Sequence, residues 1–125
     1  MRIDLPKSFL TGLHRERKRN VFVTPAGGVL RRGGARLFVW LPSQWGRRVE
    51  KVSKLKFESP EVRTSFLTRF YSDSAVIAPD RRGRIYVPAR LTRTLKRGTK
   101  FSVMTVADGR VVICLRRKTP WRFPQ

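Results

Sequence analysis

One cysteine, one histidine and eight acidic residues are all that this 125-residue chain offers to several common chemistries. A lone Cys114 excludes an internal disulfide framework and a cysteine-ligated zinc cluster. It alternates within an apolar stretch and reads as a core residue rather than a nucleophile. The acids are scattered, with no spacing that gathers metal ligands. His14 sits in the run His14-Arg15-Glu16-Arg17-Lys18-Arg19, which reads as a solvated loop or helix end. Ser8 and Ser43 have no nearby base, and Ala26-Gly27-Gly28 is not followed by the Lys-Ser/Thr of a phosphate-binding loop. The chain therefore reads as no enzyme, with no cofactor, metal or small-molecule substrate. Long apolar runs are also missing. Residues 37–41 and 111–115 are five each, against the roughly 20 needed to cross a bilayer. The acid-poor N-terminus could mimic a transit peptide, but Ile3, Leu5 and Phe9 fit a fold pattern better.

What is present is positive charge. Twenty-nine Lys and Arg against eight acids give +21, and Arg outnumbers Lys 21 to 8. Such a chain repels itself and seeks a polyanion, nucleic acid before an anionic membrane surface. Arg favours bidentate contact with phosphates and guanine edges. Hydrophobic residues at 40% still suffice for a packed core, so the expectation is a soluble, basic, intracellular domain. Charge names the partner class and not the task.

Self-comparison adds organisation. Arg2-Ile3-Asp4-Leu5-Pro6-Lys7-Ser8-Phe9-Leu10-Thr11-Gly12-Leu13 lines up with Arg84-Ile85-Tyr86-Val87-Pro88-Ala89-Arg90-Leu91-Thr92-Arg93-Thr94-Leu95. Val21-Phe22-Val23-Thr24 matches Phe101-Ser102-Val103-Met104, and Arg36-Leu37-Phe38-Val39-Trp40-Leu41 matches Arg110-Val111-Val112-Ile113-Cys114-Leu115. Trp45 and Trp121 follow at comparable points. Each copy reads as a short strand ended by Pro, a brief helical turn, a loop and a hairpin. The hairpin turns are Gly33-Gly34 and Asp108-Gly109.

The intervening stretch reads as two helices. Trp45, Val49, Val52 and Leu55 form one apolar stripe with Arg47, Arg48, Lys51 and Lys54 off it. Ser59-Pro60-Glu61 starts a second helix, with Ser as N-cap, whose apolar face is Val62, Phe66 and Phe70. The expected class is α+β. Its parts are a first β-rich unit at 1–45, a helical linker at 46–72, a second unit at 73–118 and a tail at 119–125, all in one compact domain.

Between the strands expected at Ala75-Val76-Ile77-Ala78 and Arg84-Ile85-Tyr86-Val87 lies Pro79-Asp80-Arg81-Arg82-Gly83. Pro fixes the entry, Asp80 accepts loop N–H bonds, and Gly83 takes a left-handed conformation. Arg81 and Arg82 occupy the tip and Arg84 opens the return strand, a compact reader of phosphates or base edges. A solvated turn with a structural Asp–Arg pair is the competing reading.

Asp80-Arg81-Arg82-Gly83-Arg84-Ile85-Tyr86-Val87-Pro88-Ala89-Arg90-Leu91 resembles the D-x-x-G-R-(I)-x-(I/V)-P-x-x-L signature of the MraZ family, within the AbrB-like swapped-hairpin barrel superfamily. Leu41-Pro42-Ser43-Gln44-Trp45, Arg63, Arg69-Phe70 and Ala75 are similar to the family in the same order. The resemblance covers nearly the whole chain. It implies two AbrB-like half-units forming one swapped-hairpin barrel. It also implies a cytoplasmic, nucleoid-associated transcriptional regulator that binds double-stranded DNA at promoter-proximal repeats of a cell-division and cell-wall operon, and assembles into a homo-oligomeric ring. By position it makes Asp80 and Gly83 loop organisers and Arg84 a DNA contact. Arg2, Arg90 and Lys7 join Arg81 and Arg82 as further DNA-contact candidates. In the family a strand and D-x-x-G precede the residue matching Arg2. The expectation is an in-frame upstream extension carrying them, or a divergent first copy whose barrel exposes a strand edge. The alternative is a basic structural RNA- or nucleoid-binding protein without sequence specificity, with Phe38, Trp40 and Trp45 as base-stacking platforms.

Overall fold

The computed structural model describes residues 2–31, 34–92, 100–105 and 111–116. In chain order these form β1 (Arg2–Asp4), α1 (Lys7–Arg15), β2 (Val21–Arg31), β3 (Gly34–Trp40), α2 (Pro42–Ser53) and α3 (Pro60–Ser72). There follow β4 (Ala75–Ile77), β5 (Arg84–Tyr86), α4 (Ala89–Thr92), β6 (Lys100–Thr105) and β7 (Val111–Arg116). The class is α+β, with every pairing antiparallel. β1 and β5 make a two-stranded ribbon, and β4-β2-β3-β7-β6 make a second sheet. Among the described residues these two sheets do not close into one barrel.

The repeat seen in the sequence becomes an approximate two-fold axis. Ile3 and Ile85, matching residues of the two copies, are direct partners in the ribbon. Phe38 and Val112, also matching residues, are partners where β3 meets β7. Val23 pairs with Val39 in the first copy, and Val103 with Ile113 in the second. The copies are thus interleaved: each sheet draws strands from both, and β4 lies on the outer edge of β2. At the opposite edge β6 pairs with β7 alone among the described residues. The hairpin turns at Gly33 and Asp108-Gly109, and Trp121, lie outside the described residues.

Alternation along the strands explains the core. Ile3, Val21, Val23, Val39, Ile85, Val111 and Ile113 are completely buried, joined by Phe9 and Leu13 from α1, where two residues four apart share a face. Cys114 is half-buried with a free thiol. Trp40 and Trp45 are buried, and the Trp40 indole N–H donates to the buried Thr24 hydroxyl at 2.9 Å. Phe38 is half-buried and packs edge-on to Trp40. Two of the three aromatics considered as base platforms are therefore core residues.

The helices hold to the sheet by a run of stacked rings. Phe22 of β2 stacks on Trp45 of α2 at 5.1 Å, Trp45 on Phe70 of α3 at 5.3 Å, and Phe70 on Phe66 at 6.2 Å. The α2 stripe runs as expected through Trp45 and Val52, but the helix ends at Ser53 and leaves Leu55 exposed. Ser59 caps α3, its hydroxyl accepting from the Val62 N–H. The expected inner face of α3 turns out half-open, with Phe70 half-buried and Val62 and Phe66 exposed. Among the described residues its rings rest on Trp45, Phe57 and the Arg48 guanidinium, too little surface to cover a whole helix face.

Leu41 precedes α2 and has no capping side chain, so the cap comes from elsewhere. The Glu16 carboxylate accepts from the Ser43 N–H at 2.9 Å and the Ser43 hydroxyl at 2.7 Å. This satisfies a free donor of the first turn and places a negative charge at the positive end of the helix dipole. Glu16→Ala is expected to cost about 1 kcal/mol of stability, as loss of an N-cap does. Urea unfolding of the two chains side by side measures it.

Candidate nucleic-acid interface

The turn between β4 and β5 is built around one carboxylate. Oδ1 of Asp80 accepts from the backbone N–H of Arg82 at 2.9 Å and of Arg84 at 3.0 Å. The Asp80 N–H donates to the Arg84 carbonyl at 2.9 Å, and the Gly83 N–H to the Asp80 carbonyl at 3.0 Å. Gly83 has φ +76, and a Cβ there would press on a terminal methyl of Leu10. The left-handed backbone therefore favours glycine, while the Leu10 side chain of α1 packs over it. The Gly83 carbonyl accepts from the Leu5 N–H at 3.0 Å, which ties the turn to the end of β1.

This scaffold leaves Arg81 and Arg82 exposed at the tip. Arg84 is different. Its Nε lies 3.1 Å from the Asp4 carboxylate, and its side chain is only 25% exposed, against 80% for Asp4. The ribbon register dictates the pair, because Asp4 faces Arg84 across the strands. The same axis sets Arg2 opposite Tyr86, both exposed. Arg84 thus meets a carboxylate across the ribbon, whereas the register partner of Arg2 is a tyrosine. An ion pair so open to water contributes little stability, so Asp4 mainly orients Arg84.

Lys7, exposed at the start of α1, lies one turn before the Leu10 that packs on Gly83. Arg90 stands apart. Its guanidinium donates to the carbonyls of Ser72 at 2.6 Å and Ser74 at 2.5 Å, closing the C-terminal end of α3. The ribbon and turn therefore gather Arg2, Arg81, Arg82 and Arg84, with Lys7 at their edge, whereas Arg90 fastens a helix. The Glu16 cap and the Asp4–Arg84 pair were missed from the sequence. The second follows from the repeat alignment once the matching isoleucines are set opposite each other.

Asp80 titrates below the ordinary carboxylate value. The largest cause is the hydrogen bond from the Arg84 backbone N–H; desolvation, next in size, opposes it, and the Arg82 N–H and the two guanidinium charges lower the value further. A depressed folded-state value means that the turn's order is complete above about pH 3.9, the ordinary value, and is lost as pH falls through the lowered one. The Arg82 and Arg84 amide resonances are expected to move together through that acidic window and to stay constant from pH 5 upward. Movement centred near neutrality would contradict this.

Among the described residues no three of His, Cys, Asp and Glu gather where they could hold a metal ion. No described helix is long and apolar enough to cross a membrane. Comparison with protein families, with curated proteins and with solved structures finds no match to this chain.

Proposed function

We propose that this protein is a DNA-binding regulator that reads duplex DNA through the β1–β5 ribbon and its arginine turn. The observation that carries the reading is the Asp80-organised turn, which holds Arg81 and Arg82 outward beside a ribbon bearing Arg2 and Arg84. A two-stranded antiparallel ribbon is of a width the major groove admits, and arginine is its commonest base reader. The remaining surplus of a +21 chain adds phosphate contacts and salt sensitivity. Arg84 reaches DNA by exchanging the Asp4 carboxylate for a phosphate or a guanine edge.

The resemblance of residues 80–91 to the MraZ signature gives this reading its detail. The target is a set of promoter-proximal repeats of a cell-division and cell-wall operon, the protein is nucleoid-associated in the cytoplasm, and the chain works as a homo-oligomer. The interleaving of the two copies supports the swapped-hairpin barrel that the same resemblance implies.

Footprinting the purified protein on the DNA upstream of its own gene, at two salt concentrations, tests the proposal. Protection of discrete sites that survives excess nonspecific DNA is the expected result. Uniform coverage lost at modest salt would instead identify a general polyanion binder, whose partner could equally be RNA.

A further inference from the structure

We infer that the exposed stripe of α3 through Val62 and Phe66 is a docking surface for a second copy of this chain, two α3 helices packing antiparallel. None of the thirteen residues of α3 is buried. Val62 is 46% and Phe66 40% exposed, and with Arg69 and Asp73 they form one stripe at spacings of four, three and four residues. A groove of about 240 Å³ runs along the stripe, lined by Phe66, Arg69 and Phe70 of α3, by its C-cap Asp73, and by Pro25 and Arg48 across from them. Exposed apolar side chains beside a groove mark an interaction site.

Charge identifies the occupant. In a chain of +21, residues 58–73 hold three acids and two arginines, a net −1. Two such cationic molecules repel each other over most of their surface, and this stretch is where contact costs least. The ends of the stripe are also complementary. Setting Val62 of one helix against Phe66 of the other, about a two-fold axis, brings Arg69 of each beside Glu58 of its mate. The stripe is thus self-complementary, as an isologous contact requires. Arg69 is already held toward the stripe by Asp73 at 3.8 Å. The inference deepens the homo-oligomer of the proposed reading by naming one of its contacts, and it does not depend on DNA binding.

Sedimentation velocity on the full chain, without DNA, tests it. The chain is expected to form a dimer whose population rises with protein concentration, and Phe66→Glu should weaken it at least about tenfold. Arg69→Glu should weaken it too, and Arg69→Glu with Glu58→Arg should restore it. All three positions are exposed, so circular dichroism is expected to show unchanged folding. A chain monomeric at every concentration would overturn the inference, as would a dimer indifferent to Phe66→Glu. Failure of the double exchange to recover what Arg69→Glu loses would overturn the antiparallel geometry. Footprinting on DNA is read independently of each result.

Discussion

Replacing Ile85 by alanine is expected to destabilise the fold by about 2–5 kcal/mol, the range for truncating a fully buried isoleucine. The residue is completely buried, and it lies directly opposite Ile3, likewise completely buried, at the centre of the ribbon. Truncation removes apolar surface from the core and opens a cavity that both strands must collapse to fill. Ile3→Ala should cost a similar amount, because the axis makes the two positions equivalent. The double variant should lose a different total from the sum, since the two cavities merge into one. Denaturant midpoints of the four chains measure the coupling. Additive losses would mean that the two side chains do not share a cavity. Ile85 also follows Arg84 directly, so a loosened ribbon is expected to blur the placement of the turn before the whole chain unfolds.

Changing Arg81 and Arg82 together to alanine is the larger expected effect on binding. Both side chains are exposed, and both backbones are held by a turn whose hydrogen bonds run through main-chain groups and Asp80. The variant should therefore keep its fold. If the two guanidinium groups contact phosphates, the slope of log affinity against log salt falls by about two, one for each contact, and affinity drops alike for all sequences. If one of them reads a base edge, about 1–3 kcal/mol is lost on the preferred site and much less on random DNA. Titrations on both kinds of DNA at several salt concentrations separate these results. Binding identical to the parent's in every titration would remove the turn from the interface. Arg84→Ala is a less direct probe, because it also leaves Asp4 as an uncompensated negative charge facing the DNA.

The sequence resolved much of the fold for a physical reason: a tandem repeat carries its pattern twice, and alternation in strands survives substitution. Aligning Arg2–Leu13 with residues 84–95, and the hairpin strands likewise, identifies the matching positions, and the structure then sets Ile3 against Ile85 and Phe38 against Val112. The Ser59-Pro60 helix start is also local chemistry, a hydroxyl and a preset φ acting within four residues. So is the Asp80 turn, where acceptor, donors and glycine all lie inside five positions.

Contacts between distant residues were not legible in that way. Glu16 reached Ser43 because the chain folds α1 against the start of α2, 27 positions later in the sequence. Arg90 read from the sequence as a DNA-contact candidate, and only the folded chain shows two of its donors on the carbonyls of Ser72 and Ser74 at the end of α3. The apolar face of α3 read as core, yet the rings beside it cover only part of it. Pattern and composition by themselves determined a repeated α+β chain, strongly cationic, with one ordered arginine turn. Which arginines bond carboxylates and carbonyls, and which carry no such partner on a neighbouring element, was decided by the tertiary structure. That choice depends on which distant groups the two-fold packing brings within about 3 Å, a hydrogen bond's reach.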